Sequence, residues 1–60
     1  MKVGDYYRSH EPTFAWVFWI QEILPSGRFI ALSSGGVPYL FEPGREAAWT
    51  PATIDDFLCG

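Results

Sequence analysis

Apolar residues run almost unbroken from Thr13 to Leu24, TFAWVFWIQEIL, and the rest of the chain is organised around that stretch. Read with period two, one face carries Phe14, Trp16, Phe18, Ile20 and Leu24, and the other Ala15, Val17, Trp19 and Ile23. Polar side chains enter only at Gln21 and Glu22. A half-buried strand alternates apolar with polar; a strand apolar on both faces is covered on both sides. A buried helix has the same hydropathy, but aromatic and β-branched enrichment and the Pro25-Ser26-Gly27 stop favour a strand. The run is shorter than the roughly 20 apolar residues a membrane span needs.

The flanking segments read as its partners. Lys2 to Arg8 is a short first strand with a bend or bulge at Gly4-Asp5, and Ser9 to Pro12 is a polar loop whose His10 reads as solvent-exposed. Arg28 to Ser33 pairs back on the long strand through a tight Gly-containing connection, an antiparallel hairpin. Val37 to Glu42 is a further strand, placed at an edge because Pro38 cannot donate to a ladder. After the Pro43-Gly44-Arg45-Glu46 turn, Ala47-Ala48-Trp49 is expected to return as a short strand. Thr50 to Leu58 reads as a helix, with Thr50 as N-cap and Pro51 in the first position. Thr53 with Asp56 three residues on offers an alternative start, a variant capping box. Ile54, Phe57 and Leu58 form its apolar stripe. The expectation is one mainly β (α+β) domain over residues 1–60. It is a small, strongly bent antiparallel sheet or SH3-like partly open barrel of four or five strands, with one short C-terminal helix.

Composition bears on assembly. A domain of 60 residues buries a modest share of its surface and usually needs a staple. One cysteine, Cys59, allows no internal disulfide, and one Cys with one distant His makes no zinc site. Three Trp, three Tyr and five Phe exceed what so small a core requires, which predicts a homo-oligomer. Trp16 and Trp19, on opposite faces of one strand, and Phe18 between them are the candidate interface residues. A net charge of −3 and only four basic residues argue against binding along a DNA or RNA backbone. The N-terminus reads as having no signal peptide, so a cytoplasmic protein, away from membranes, is expected.

Little in the chain suggests catalysis. Asp55 and Asp56 are the only adjacent carboxylates, and neighbours on a helix point about 100° apart, so they read as charges suited to the helix start. Ser33, Ser34, His10 and the Asp pair belong to no nucleophile motif. Ser34-Gly35-Gly36 lacks the Lys-Ser/Thr and opening helix of a phosphate loop. No enzyme and no cofactor is expected. Trp49 reads either as a lid on the core or as a stacking surface for a planar ligand.

From Arg28 to Leu58 the chain resembles a family of small phage and prophage anti-defence proteins. The resemblance lies in Phe29-Ile30-Ala31-Leu32, then Trp49-Thr50-Pro51, then Asp55-Asp56-Phe57-Leu58. The family includes oligomeric sponges that counter the Thoeris system by holding cyclic ADP-ribose-type nucleotides without cleaving them. The resemblance implies sequestration of a cyclic signalling nucleotide in the host bacterial cytoplasm, with Trp49 and Asp55 as pocket residues. An anionic ligand would call on Arg8, Arg28 and Arg45. The alternatives are a phage-encoded inhibitor that docks on a host defence or other host protein, and a general SH3-like protein-interaction module. Sequestration requires Arg8, Arg28 or Arg45 near Trp49; the inhibitor requires an exposed apolar patch and no enclosed pocket.

Overall fold

The computed structural model describes residues 1–11 and 16–59. Five strands, β1 (Tyr6–Arg8), β2 (Val17–Ile23), β3 (Phe29–Ser33), β4 (Pro38–Phe41) and β5 (Thr50–Ala52), form one antiparallel sheet in the order β4-β3-β2-β1-β5. A single 3-10 turn over Arg45–Ala48 precedes β5, and a short helix, α1 (Ile54–Cys59), follows it. This is the expected mainly β architecture with one C-terminal helix. The sheet stays open: β4 and β5 are its edges and do not pair, so it does not close into a barrel.

The long apolar run is the central strand, β2, over Val17–Ile23. Its expected first residues, Thr13, Phe14 and Ala15, lie outside the described residues. One face of β2 presents Phe18 and Ile20, both fully buried, to Phe29, Ala31, Phe41 and Trp49. Phe18 sits at the centre of this core. It stacks on Trp49 at 5.0 Å and 13°, and meets Phe41 edge-on at 5.1 Å and 82°. The opposite face carries Trp19, stacked on Tyr6 at 5.9 Å and capped by Phe57 of α1 at 6.1 Å. Cover on both sides is thus what the two-faced pattern encodes, with the second side supplied by the chain's own helix.

One face assignment inverts. The pairing of β2 with β3 shifts between Ile20 and Glu22, so Gln21 is an extra, bulged residue. A one-residue slip exchanges the two faces. Ile23, expected beside Trp19, therefore lies opposite Phe29 on the core side.

The largest departures fall between Ala47 and Thr53. Ala47 and Ala48 belong to the 3-10 turn, held by Ala47 N–H to Gly44 C=O at 3.0 Å and by Trp49 N–H to Glu46 C=O at 3.0 Å. The returning strand starts at Thr50, where the expected helix was to begin. The cause is tertiary. The even residues of β1 turn their backbone groups away from β2, and Thr50 and Ala52 supply partners for Arg8 and Tyr6. The helix starts instead at the alternative cap. Asp56 N–H donates to Thr53 Oγ1 at 3.2 Å, and Thr53 N–H donates to Asp56 Oδ2 at 3.0 Å, a reciprocal capping box.

Two glycines answer specific demands. Gly27, in the β2–β3 hairpin, takes φ 93°, and a methyl there would meet Pro43 Cγ at 3.2 Å. Gly35 lies under the Trp16 ring, where a methyl would come within 3.0 Å of it.

Candidate functional site

Of the ligand-site residues expected from sequence, Arg45 and Trp49 come together on one Glu11 carboxylate, while Arg8, Arg28 and Asp55 lie elsewhere. Trp49 is 5% exposed. Phe18 takes one of its faces, while Phe29 and Phe41 meet it edge-to-face at 5.8 and 5.0 Å. Of the two readings of Trp49, lid on the core or stacking surface for a planar ligand, its position is that of the lid. The 3-10 turn returns an extended Trp49 (φ −98°, ψ 161°) directly under the sheet. Asp55 is exposed in the first turn of α1, away from that ring.

The three arginines stand apart. Arg8 pairs in register with Val17 at the start of β2, and Arg28 lies beyond the Ile23–Phe29 pair at its end, roughly 20 Å along the strand at ~3.3 Å per residue. Arg45 is on the core side, its guanidinium 5.5 Å from the Phe41 ring centroid. Each faces a carboxylate of its own chain: Arg8–Asp56 at 3.7 Å, Arg28–Glu42 at 3.0 Å, and Arg45–Glu11. Exposed pairs of this kind contribute little stability.

The Glu11 cluster is the polar feature that sequence reading missed. Arg45 grips Glu11 with two guanidinium nitrogens, Nε–H reaching Oε2 at 3.1 Å, and Trp49 Nε1–H donates to the same oxygen at 3.2 Å. One carboxylate thus satisfies the indole N–H of the core tryptophan. The Arg45 hydrogen bond, followed by that of Trp49, holds the Glu11 carboxyl below its usual range. Asp56 is likewise lowered, first by the Thr53 backbone N–H and then by the Thr53 hydroxyl. The Tyr7 phenol is pushed up by burial, then by the charges of Asp5 and Glu46. Glu11 lies in a short polar loop, and its partners are 34 and 38 residues away, so no local spacing reveals the cluster. His10, expected as a simple exposed loop residue, is exposed and lies 2.9 Å through Nε2 from Thr50 Oγ1.

The three expected interface residues separate. Phe18 has 0% exposure and belongs to the chain's own core, so it has no surface to offer a second copy. Trp19 is half-buried beneath Tyr6 and Phe57. Trp16, one residue before β2, keeps a 37% exposed ring against Gly35.

Further apolar residues are exposed on the helix-covered face of the sheet and on the helix itself. Register places Tyr6, Trp19, Leu32 and Pro38 in one row across the sheet, and Ile30 with Leu40 in the next. Phe57 of α1 covers the Tyr6–Trp19 end of that face. Towards β4, Ile30 and Leu32 are half-buried and Leu40 is 56% exposed. Ile54 and Leu58 on α1 are exposed as well, Leu58 at 73%. Glu22, opposite Ile30, and Glu42, paired with Arg28, border the patch.

No group of three or more metal-binding side chains occurs among the described residues, and none of their helices is long and apolar enough to cross a membrane. Comparison with protein-family models, curated proteins and solved structures finds no match for this chain.

Proposed function

We propose that the chain is a non-catalytic binding module, that its working surface is the apolar half-face of Ile30, Leu32 and Leu40 with the outer side of α1, and that its partner is a protein. The observation carrying this reading is the exposure of Leu40 and Leu58 beside an otherwise well-packed aromatic core. Apolar side chains left exposed on one face of a small domain are the kind of surface that marks an interaction site. Glu22 and, on α1, Asp55 border it beside the Arg28–Glu42 pair, so the fitting partner presents an apolar patch with basic groups at its rim. The resemblance to phage anti-defence proteins makes a bacterial host protein the partner class.

Sequestration of a cyclic nucleotide is the competing reading. It needs guanidinium groups gathered around an open aromatic face. In the single chain Arg8, Arg28 and Arg45 are dispersed, and Trp49 is enclosed by Phe18, Phe29 and Phe41.

The test is affinity capture from bacterial lysate, followed by reconstitution of the captured protein with the purified chain. A complex of defined stoichiometry, weakened at least tenfold by Leu58→Lys, supports the docking surface. Calorimetry with cyclic ADP-ribose-type and cyclic di- and trinucleotides runs in parallel. Saturable binding with the nucleotide recovered intact would replace this reading with the sponge. Recovery of a cleaved nucleotide would replace it with an enzyme.

A further inference from the structure

The two edges of the sheet differ in what they leave unpaired. In antiparallel pairing, backbone groups point alternately to one neighbour and the other. Ser33 N–H donates to Val37 C=O at 2.9 Å, and the register continues Ala31–Tyr39 and Phe29–Phe41. The odd residues of β4 therefore face β3. Pro38, Leu40 and Glu42 face outward.

At the other edge, β1 bonds β2 through its odd positions, shown by Ile20 N–H to Asp5 C=O at 2.9 Å and Ser9 N–H to Trp16 C=O at 3.0 Å. Thr50 and Ala52 then face β1, leaving only Pro51 outward, and proline has no N–H. Trp49 N–H and Thr53 N–H, flanking β5, are bonded to Glu46 C=O and Asp56 Oδ2. The β5 edge offers no donor. The β4 edge offers two, Leu40 N–H and Glu42 N–H, together with the carbonyls of Pro38 and Leu40.

We infer that the β4 edge is the seam of a twofold-symmetric homodimer, in which β4 pairs antiparallel with β4 of a second copy, Leu40 opposite Leu40. In that register Leu40 N–H donates to Leu40 C=O of the second copy, and the reverse. Glu42 N–H donates to Pro38 C=O, and the reverse. The donor that Pro38 lacks would have gone to Glu42 C=O, but that carbonyl already accepts Arg45 N–H at 3.3 Å within its own chain. The gap and the occupied acceptor coincide, so four hydrogen bonds form and no edge group is stranded. Sliding the pairing so that Leu40 faces Pro38 leaves each Leu40 C=O without a donor.

Side chains agree with the register. β4 reads Pro-Tyr-Leu-Phe and carries no charge, whereas solitary edges are commonly guarded by one, often Lys. Leu40, 56% exposed, meets its own copy on the apolar half-face. Tyr39 lies opposite Phe41 of the second copy on the core side, an aromatic cross-strand pair. The five-stranded sheets join into one of ten strands, and the two apolar half-faces become continuous. The seam depends on the β4 edge alone and stands whichever partner that face binds.

Sedimentation equilibrium across a concentration series tests it, with an expected mass of two chains at the upper end. Leu40→Pro deletes the two central donors without touching a bond to β3. Leu40→Lys sets two ammonium groups side by side. Each is expected to raise the dimer dissociation constant at least tenfold. Hydrogen exchange of the unaltered chain gives a second readout that does not depend on a variant folding. The Leu40 and Glu42 amides should slow as concentration rises, while the Thr50 and Ala52 amides stay constant. A monomer at all concentrations overturns the proposal. So does a dimer that survives Leu40→Lys with Leu40 exchange independent of concentration.

Discussion

The two faces of the central strand are both apolar, yet they are finished in different ways. Phe18 and Ile20 look into a core with essentially no solvent exposure, closed by Trp49 from the far end of the chain. Trp19, one residue along, looks onto Tyr6 and a helix of six residues that reaches only part of its face. Around Phe18 and Ile20 the core face is closed, and around Trp19 the other face is closed only in part. Folding energy is therefore concentrated on the Phe18 side, and surface free for a partner on the Trp19 side.

The difference can be broken at its strongest point. Phe18→Ala removes the ring that meets Trp49, Phe41 and Tyr39, and core Phe→Ala changes cost about 3–5 kcal/mol. At roughly 0.05–0.15 kcal/mol per residue, a chain of 60 residues has about 3–9 kcal/mol in total, so the variant should be largely unfolded by near-UV circular dichroism. Trp49→Ala should behave alike, and any ligand binding it abolishes would report on folding. Trp19→Ala should cost less, about 1–3 kcal/mol by denaturant titration, because its ring is half-buried against two neighbours. Equal losses at Phe18 and Trp19 would mean that the helix-covered face is as fully closed as the core.

How much of this was legible in the sequence divides along the same line. The first four strands and the β2–β3 hairpin follow from local pattern, and Pro38 alone locates an edge. Trp49 could be read as core lid or stacking surface because no local pattern fixes the side its ring takes, and residues 50–53 favour a helix start locally while β1 needs a strand partner globally. The same competition moved the cap from Thr50 to Thr53. The Glu11–Arg45–Trp49 cluster joins residues 34 and 38 apart, a distance over which periodicity carries no signal. The bulge at Gln21 was equally silent, since either polar residue, Gln21 or Glu22, could have absorbed the slip.

The helix that half-covers the Trp19 face sharpens the comparison further. Thr53→Ala removes the N-cap hydroxyl, which accepts from Asp56 N–H and donates to Asp56 Oδ2, and cap losses cost typically about 1 kcal/mol. Melting temperature should fall by several degrees, and Trp19 fluorescence should shift towards the solvated value as Phe57 loosens. Acid should act through the two lowered carboxyls. Glu11 and Asp56 bind protons less readily folded than unfolded, so their contribution is present above about pH 4.5 and is lost as pH falls through the folded values. Glu11→Gln should flatten the acid limb of a melting-temperature profile; an unchanged limb would show that the cluster adds no pH dependence.

The smallest stability effect is expected where the largest binding effect is. Leu58 is 73% exposed on the outer side of α1, and Cys59 beside it is a free, exposed thiol. Neither has the burial from which a substitution draws its cost, so Leu58→Lys and Cys59→Ser should each change stability by less than about 0.5 kcal/mol. They should part company in binding. Leu58 is apolar surface held out beside the half-covered face, and an ammonium placed there opposes a basic-rimmed partner. Cys59→Ser changes one atom and should leave binding unaltered. A chain in which Leu58→Lys costs several kcal/mol has Leu58 buried in solution, most simply by a second copy lying across α1. That result would move the contact between copies from the β4 edge to the helix face, and concentration-dependent exchange at Leu40 would then be absent.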